Sequence, residues 1–142
     1  MDDPNLDEVF PTLEGASTGY RLGAGAALFG FLNAYYHSSL KKMDQGNHFS
    51  AVVADPEGFF FENRPRAEVW IASKKFRRHG GYARKIEATF DDAWGEMSTL
   101  NERRLTMKER RDVVTGFHDM NRACKHFWQV MWDDYKAKPD SN

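Results

Sequence analysis

Leu22-Gly-Ala-Gly-Ala-Ala-Leu-Phe-Gly-Phe-Leu-Asn-Ala-Tyr-Tyr-His-Ser-Ser-Leu40 is nineteen residues without a formal charge. Its first half is small and apolar. Ala26, Gly30, Ala34 and Ser38 recur every four residues, a ridge of small side chains that lets a neighbouring helix approach closely. Leu28, Phe29, Phe31 and Leu32 occupy the remaining faces. Tyr35, Tyr36 and His37 follow, then Lys41-Lys42, the order met where a membrane helix leaves the apolar layer. A thin bilayer core needs about 17–20 residues, so the run is just long enough. Asn33, His37, Ser38 and Ser39 weaken it as a span. The same residues suit a central helix buried in a bundle, with the small side chains at helix crossings. The helix is expected over 20–43.

Before it, residues 1–19 read as an extended acidic arm: Asp2, Asp3, Asp7, Glu8 and Glu14 precede the first base, Arg21. After it, residues 44–142 read as a helical domain with a hairpin-like insert. Phe49-Ser-Ala-Val-Val-Ala54 and Phe59-Phe-Phe61 flank Asp55-Pro-Glu-Gly58, whose residue types suit a type I turn, so a short β-hairpin is expected there. Asn63 is placed to cap a helix over 65–79, which ends in Lys74-Lys-Phe-Arg-Arg-His79 and Gly80-Gly81. Ile86, Phe90, Ala93, Trp94, Met97 and Leu100 mark an amphipathic helix from Tyr82 to about Arg103. Thr106-Met-Lys-Glu109 has the form of a capping box. Beyond it Val113, Phe117, Met120, Cys124, Phe127, Met131 and Tyr135 give a helix to about Lys136, roughly 45 Å long. The short link at Leu105 pairs these last two helices as an antiparallel hairpin. The expected class is mostly α.

The 142 residues, 41% hydrophobic and 14% aromatic, suffice for one core and exclude global disorder. Net charge is −1, but residues 64–85 hold eight bases and one acid, Glu68. Arg64, Arg66, Lys74, Lys75, Arg77, Arg78, Arg84 and Lys85 surround Trp70, Phe76 and Tyr82. Such a basic patch suits nucleic acid, or an anionic lipid such as cardiolipin; the plainer reading is a solvated helix end whose charges meet nearby acids. The lone Cys124 excludes an internal disulfide and points to a reducing, intracellular compartment. The first twenty residues have neither the basic start nor the apolar run of a signal peptide.

The familiar chemistries find little. The residues three before His37, His48, His79, His118 and His126 are Ala34, Gln45, Phe76, Thr115 and Ala123, so no Glu-x-x-His metal pattern occurs. One cysteine cannot supply a zinc site, and no metal or other cofactor is expected. Gly23-Ala-Gly25 lacks the third glycine and the preceding strand of a dinucleotide site. Arg111 and His118, seven apart on one long helix, resemble the Arg-x6-His element of HEPN ribonucleases over eight residues. That resemblance implies an Arg and a His acting on an RNA phosphodiester; the alternative is two exposed side chains on a helix surface.

Three functions follow in order. The first is a non-catalytic accessory subunit of a larger assembly, most readily a mitochondrial inner-membrane complex of respiratory type. There Ala26, Gly30 and Ala34 would pack against partner subunits, and Arg77, Arg78 and Lys85 would meet head groups or acidic partners. The second is a soluble, cytoplasmic helical module, an inhibitor or adaptor, that binds protein or RNA through the basic patch. The third is a ribonuclease using Arg111 and His118.

Overall fold

A computed structural model describes residues 13–37, 48–95 and 104–137. Among the described residues six helices follow in order: α1 (Thr18–Tyr36), α2 (His48–Ala54), α3 (Pro56–Ala72), α4 (Lys74–Arg77), α5 (Gly81–Trp94) and α6 (Met107–Ala137). No strand occurs among the described residues.

α1 is the centre of the molecule. Ser17 starts it by accepting the Tyr20 N–H at 3.2 Å. Fourteen of its nineteen residues are buried, on every side of the helix. An all-round apolar helix needs an all-round apolar environment. Here α6 lines one flank and α2, α3 and α5 cover the others. The membrane-span expectation is therefore corrected: no helix among the described residues is long and apolar enough to cross a membrane. Glycine and alanine remove charge without adding much hydrophobicity. The helix also stops at Tyr36, where the His37 N–H returns to the Asn33 carbonyl at 3.2 Å. Ser38 and Lys41-Lys42 lie outside the described residues.

α1 and α6 run parallel. At their starts Ser17 donates to Asp112 at 2.9 Å and Tyr20 donates to Asp119 at 2.8 Å. Toward their ends the Trp128 ring stands edge-on to Phe31 and Tyr35, with centroids 6.3 and 5.2 Å apart. Glycines set the spacing. A Cβ on Gly23 would lie 2.6 Å from the Phe117 nitrogen, and one on Gly116 would lie 2.8 Å from the Tyr20 carbonyl carbon. Any side chain at these two positions would push the backbones apart. The expected direct pairing of the last two helices is corrected, though not their opposite sense: α6 packs chiefly on α1. α5 runs antiparallel to α1: it starts just after His79, which meets Tyr35, and its end sets Asp92 at Arg21 and Trp94 at Gly25. It makes little contact with α6 among the described residues. The amphipathic stripe of α6 was real, since Val113, Met120, Cys124 and Phe127 are fully buried. Periodicity reports a buried face, not the element that buries it.

The expected hairpin is also corrected. Residues 48–72 are helical, with one break at Asp55. Asp55 accepts the Gly58 N–H at 3.1 Å and Pro56 opens α3. A type I turn and the first turn of a helix share the same right-handed backbone, so Asp-Pro-x-Gly serves both. Asn63 caps nothing; it sits inside α3 and its amide donates to the Phe59 carbonyl at 2.8 Å. The helix expected over 65–79 is split at Ser73, which is extended (φ −65°, ψ 150°) and caps α4 by accepting the Phe76 N–H at 3.3 Å. Gly80, at φ +57°, makes the turn into α5.

α5 adds close aromatic contacts to the core. Trp94 stands edge-on to Phe60 at 4.2 Å and tilted on Phe90 at 4.5 Å. Residues 96–103, which carry the expected continuation through Met97 and Leu100 to Arg103, lie outside the described residues. The capping box at α6 has the expected reciprocal form. Thr106 accepts the Glu109 N–H at 3.1 Å, and Glu109 accepts the Thr106 N–H at 2.9 Å.

A candidate docking face on α3

α3 presents apolar side chains on two faces. Phe59, Phe60, Ala67 and Ile71 point into the core. On the opposite side Phe61 is 85% exposed and Val69 is 63% exposed. Pro65 and Ala72 are exposed as well, so positions 61, 65, 69 and 72 form one outward stripe at helical spacing. Consecutive residues on a helix turn by about 100°, which is why Phe59 and Phe60 go in while Phe61 goes out.

Pro65 is placed to suit that face. It has no N–H, so the Phe61 carbonyl one turn earlier loses its helical donor. On the outer side this carbonyl faces water, so the missing bond leaves no buried group unpaired. Charges flank the stripe. Arg64 pairs with Glu68 at 3.0 Å along one side, and Glu62 and Arg66, both exposed and four apart, lie along the other. An apolar centre rimmed by charge is the anatomy of a protein-binding surface.

The residues singled out from sequence fall elsewhere. Ala26, Gly30 and Ala34 are buried in α1, on the same side as Gly19 and Gly23 by helical periodicity. The closest backbone approaches occur at Gly19, Gly23 and Gly116. The eight bases of 64–85 do not form one patch. Arg64 pairs with Glu68, and Arg77 pairs with Glu87 at 2.9 Å. Lys75 folds inward, donating to the Tyr36 carbonyl at 3.3 Å with its ammonium 5.4 Å from the Tyr35 ring centre. Burial lowers its pKa. Arg66, Lys74, Arg78 and Arg84 are exposed and Lys85 is half-buried, spread over three helices and their links. Acids are interleaved: burial, and then the neighbouring Glu87, raise the Asp91 carboxyl.

Arg111 and His118 are both exposed, two turns apart on the outer face of α6, where the His118 ring meets the edge of Phe117 at 5.9 Å. The shallow groove lined by Leu32, Tyr35, Tyr36, Trp70, Ser73, Lys75 and Phe76 includes neither. Among the described residues no cluster of three His, Cys, Asp or Glu is placed to hold a metal ion. Cys124 is buried, which pushes its thiol well above the ordinary range and away from the reactive thiolate.

Sequence reasoning missed one polar pair. Tyr35 and His79, both buried, share a hydrogen bond through the Tyr35 hydroxyl and His79 Nε2. It ties the end of α1 to the turn after α4. His79 closes a run of exposed bases, so nothing local marks it as a core residue. No protein-family model, curated protein or solved structure matches this chain.

Proposed function

We propose that this protein is a non-catalytic helical interaction module that joins a larger protein assembly through the outer face of α3. The observation that carries the reading is Phe61, a phenylalanine 85% exposed at one end of an apolar stripe with Val69. Leaving a phenylalanine in water forgoes about 1.5–3 kcal/mol of burial, which a partner surface recovers. With α1 enclosed as the core of the bundle, attachment to an assembly runs through this surface and not through a membrane helix.

The test is a photo-cross-linker. Phe61→benzoylphenylalanine in the full chain, expressed in cells, is expected to give a discrete higher-mass band on irradiation. The same probe at Arg111, on the outer face of α6, is the control. Equal labelling at both positions, or none at position 61, would overturn the docking role.

A second reading draws on the outer face of α6. Arg111, His118 and Lys125 recur there every seven residues and are all exposed, with the exposed Arg104 just ahead of the helix, while Asp112 and Asp119 are engaged by Ser17 and Tyr20 of the α1 side. Such a row suits the phosphates of nucleic acid. Retention on immobilised RNA that falls steeply with added salt would favour it over docking at α3.

A further inference from the structure

The outer face of α3 has an internal symmetry. From Phe61 to Val69 the chain reads Phe-Glu-Asn-Arg-Pro-Arg-Ala-Glu-Val. About Pro65 it is chemically palindromic: Phe61 mirrors Val69, Glu62 mirrors Glu68 and Arg64 mirrors Arg66. On the helix surface the mirrored pairs fall on opposite sides of the stripe. A half-turn about the outward normal at Pro65 returns the helix only to itself. A second helix is generated by a half-turn about an axis in the interface, perpendicular to α3 and level with Pro65, which keeps each flank on its own side and reverses the order of its charges. Each flank holds one arginine near the centre and one glutamate toward its end.

We infer that the occupant of this face is a second copy of this chain, its α3 running antiparallel across a two-fold axis at Pro65. The inference rests on the docking role of α3 and names the partner. A two-fold interface must be self-complementary, each residue meeting one that it is met by in return. In this arrangement Phe61 of one copy lies over Val69 of the other, four residues either side of the axis. Ala72 comes level with Gly58 of the other copy, small against small. On one flank Arg66 lies two residues, roughly 3 Å along the axis, from Glu62 of the second copy; on the other flank Arg64 stands in the same relation to Glu68. The two glutamates of a flank lie six residues apart. On one flank the two Arg66 side chains reach outward, each to Glu62 of the other chain. On the other, Arg64, bonded through Nε to its own Glu68, extends its remaining N–H groups toward the second copy's Glu68. Antiparallel alignment also opposes the helix dipoles. A single helix pair belongs at the low end of interface sizes, below about 1,200 Å² in total, so the dimer is a reversible one.

The experiment uses the full chain. Sedimentation velocity across a concentration series is expected to show a monomer–dimer equilibrium, and Phe61→Ser is expected to raise its Kd about tenfold or more. Glu62→Arg, which sets like charges across the axis, weakens the dimer; adding Arg66→Glu to it restores association. Pro65→Cys reads the register directly: losing the proline ring weakens association, but above the variant's Kd the new thiols at the axis, with Cys124 buried, are trapped as a disulfide-linked dimer under mild oxidation, whereas Arg84→Cys is not. A chain that stays monomeric at every concentration, or a dimer indifferent to Phe61→Ser, overturns the inference. The cross-linker at position 61 separates the two readings: a band containing a different protein keeps the docking role and removes the second copy, and no band removes both.

Discussion

The Trp94 indole N–H donates to the carbonyl of Gly25 at 3.2 Å, in the middle of α1. The contact exists because Gly25 has no side chain. A Cβ there would stand 3.1 Å from Trp94 Nε1 and 3.1 Å from Phe60 Cε1. Alanine in place of a helical glycine gains about 1 kcal/mol in helix propensity, and the squeeze on two aromatic rings costs a similar amount or somewhat more. Gly25→Ala is therefore expected to change stability by no more than about 2 kcal/mol. Gly23→Ala is different: its Cβ would meet the Phe117 nitrogen at 2.6 Å, and backbone cannot rotate aside. A loss of about 3 kcal/mol is expected for it. Urea unfolding of both variants checks the order, which is set by what each methyl meets rather than by how buried each glycine is.

Tyr35 is buried against Trp128 and bonded to His79. Tyr35→Phe keeps the ring and its packing and removes only the hydroxyl, taking that hydrogen bond from a buried imidazole. A loss of about 1–3 kcal/mol is expected, as for a buried polar group deprived of its partner. His79→Phe in addition to Tyr35→Phe removes the imidazole as well, and a double-mutant cycle is expected to show that the second change costs less than it does alone.

The Tyr20 hydroxyl donates to Asp119, and burial, followed by that bond and the Asp119 charge, pushes its pKa from 10.0 to about 12. The fold thus favours the protonated phenol. Stability from this source is fully present below pH 10 and is lost as pH rises from 10 through about 12. Tyr20→Phe is expected to flatten the fall in unfolding midpoint across that window relative to the wild-type chain. An unchanged slope would mean that the remaining tyrosines carry the alkaline dependence.

How much of this was legible beforehand differs by element. α6 was readable from end to end because its signals are local: a capping box four residues long and an apolar stripe at three- and four-residue spacing. α1 was readable as a buried helix. Which surroundings bury it was not, because a lipid layer and a bundle select the same side chains at this hydropathy. Its parallel pairing with α6 depends on Gly19 and Gly23 meeting residues about ninety positions later, Glu109 to Phe117, and no local pattern records such a meeting. α3 was misread for the opposite reason. Phe61 and Val69 outside and Phe59, Phe60 and Ile71 inside cancel the helical period, and apolar residues that face water look in a sequence like residues of the core. The proposed docking face was hidden by the property that defines it.

Pro65 sits inside α3, where a proline is usually excluded because it removes one backbone hydrogen bond and crowds the preceding turn. Alanine in its place should let Phe61 regain a donor, and propensity alone favours the change by about 3 kcal/mol in a helix interior. The core-facing side chains of α3 are packed on the backbone as it stands, which offsets part of that gain, so Pro65→Ala is expected to stabilise the fold by about 1–2 kcal/mol in urea unfolding. The same change takes the proline ring out of the stripe between Phe61 and Val69, so self-association is expected to weaken while stability rises. A residue that costs stability and shapes a surface is kept for the surface. If Pro65→Ala instead destabilises the chain, the backbone geometry at Pro65 serves the packing of Phe59, Phe60 and Ile71, and the proline serves the core.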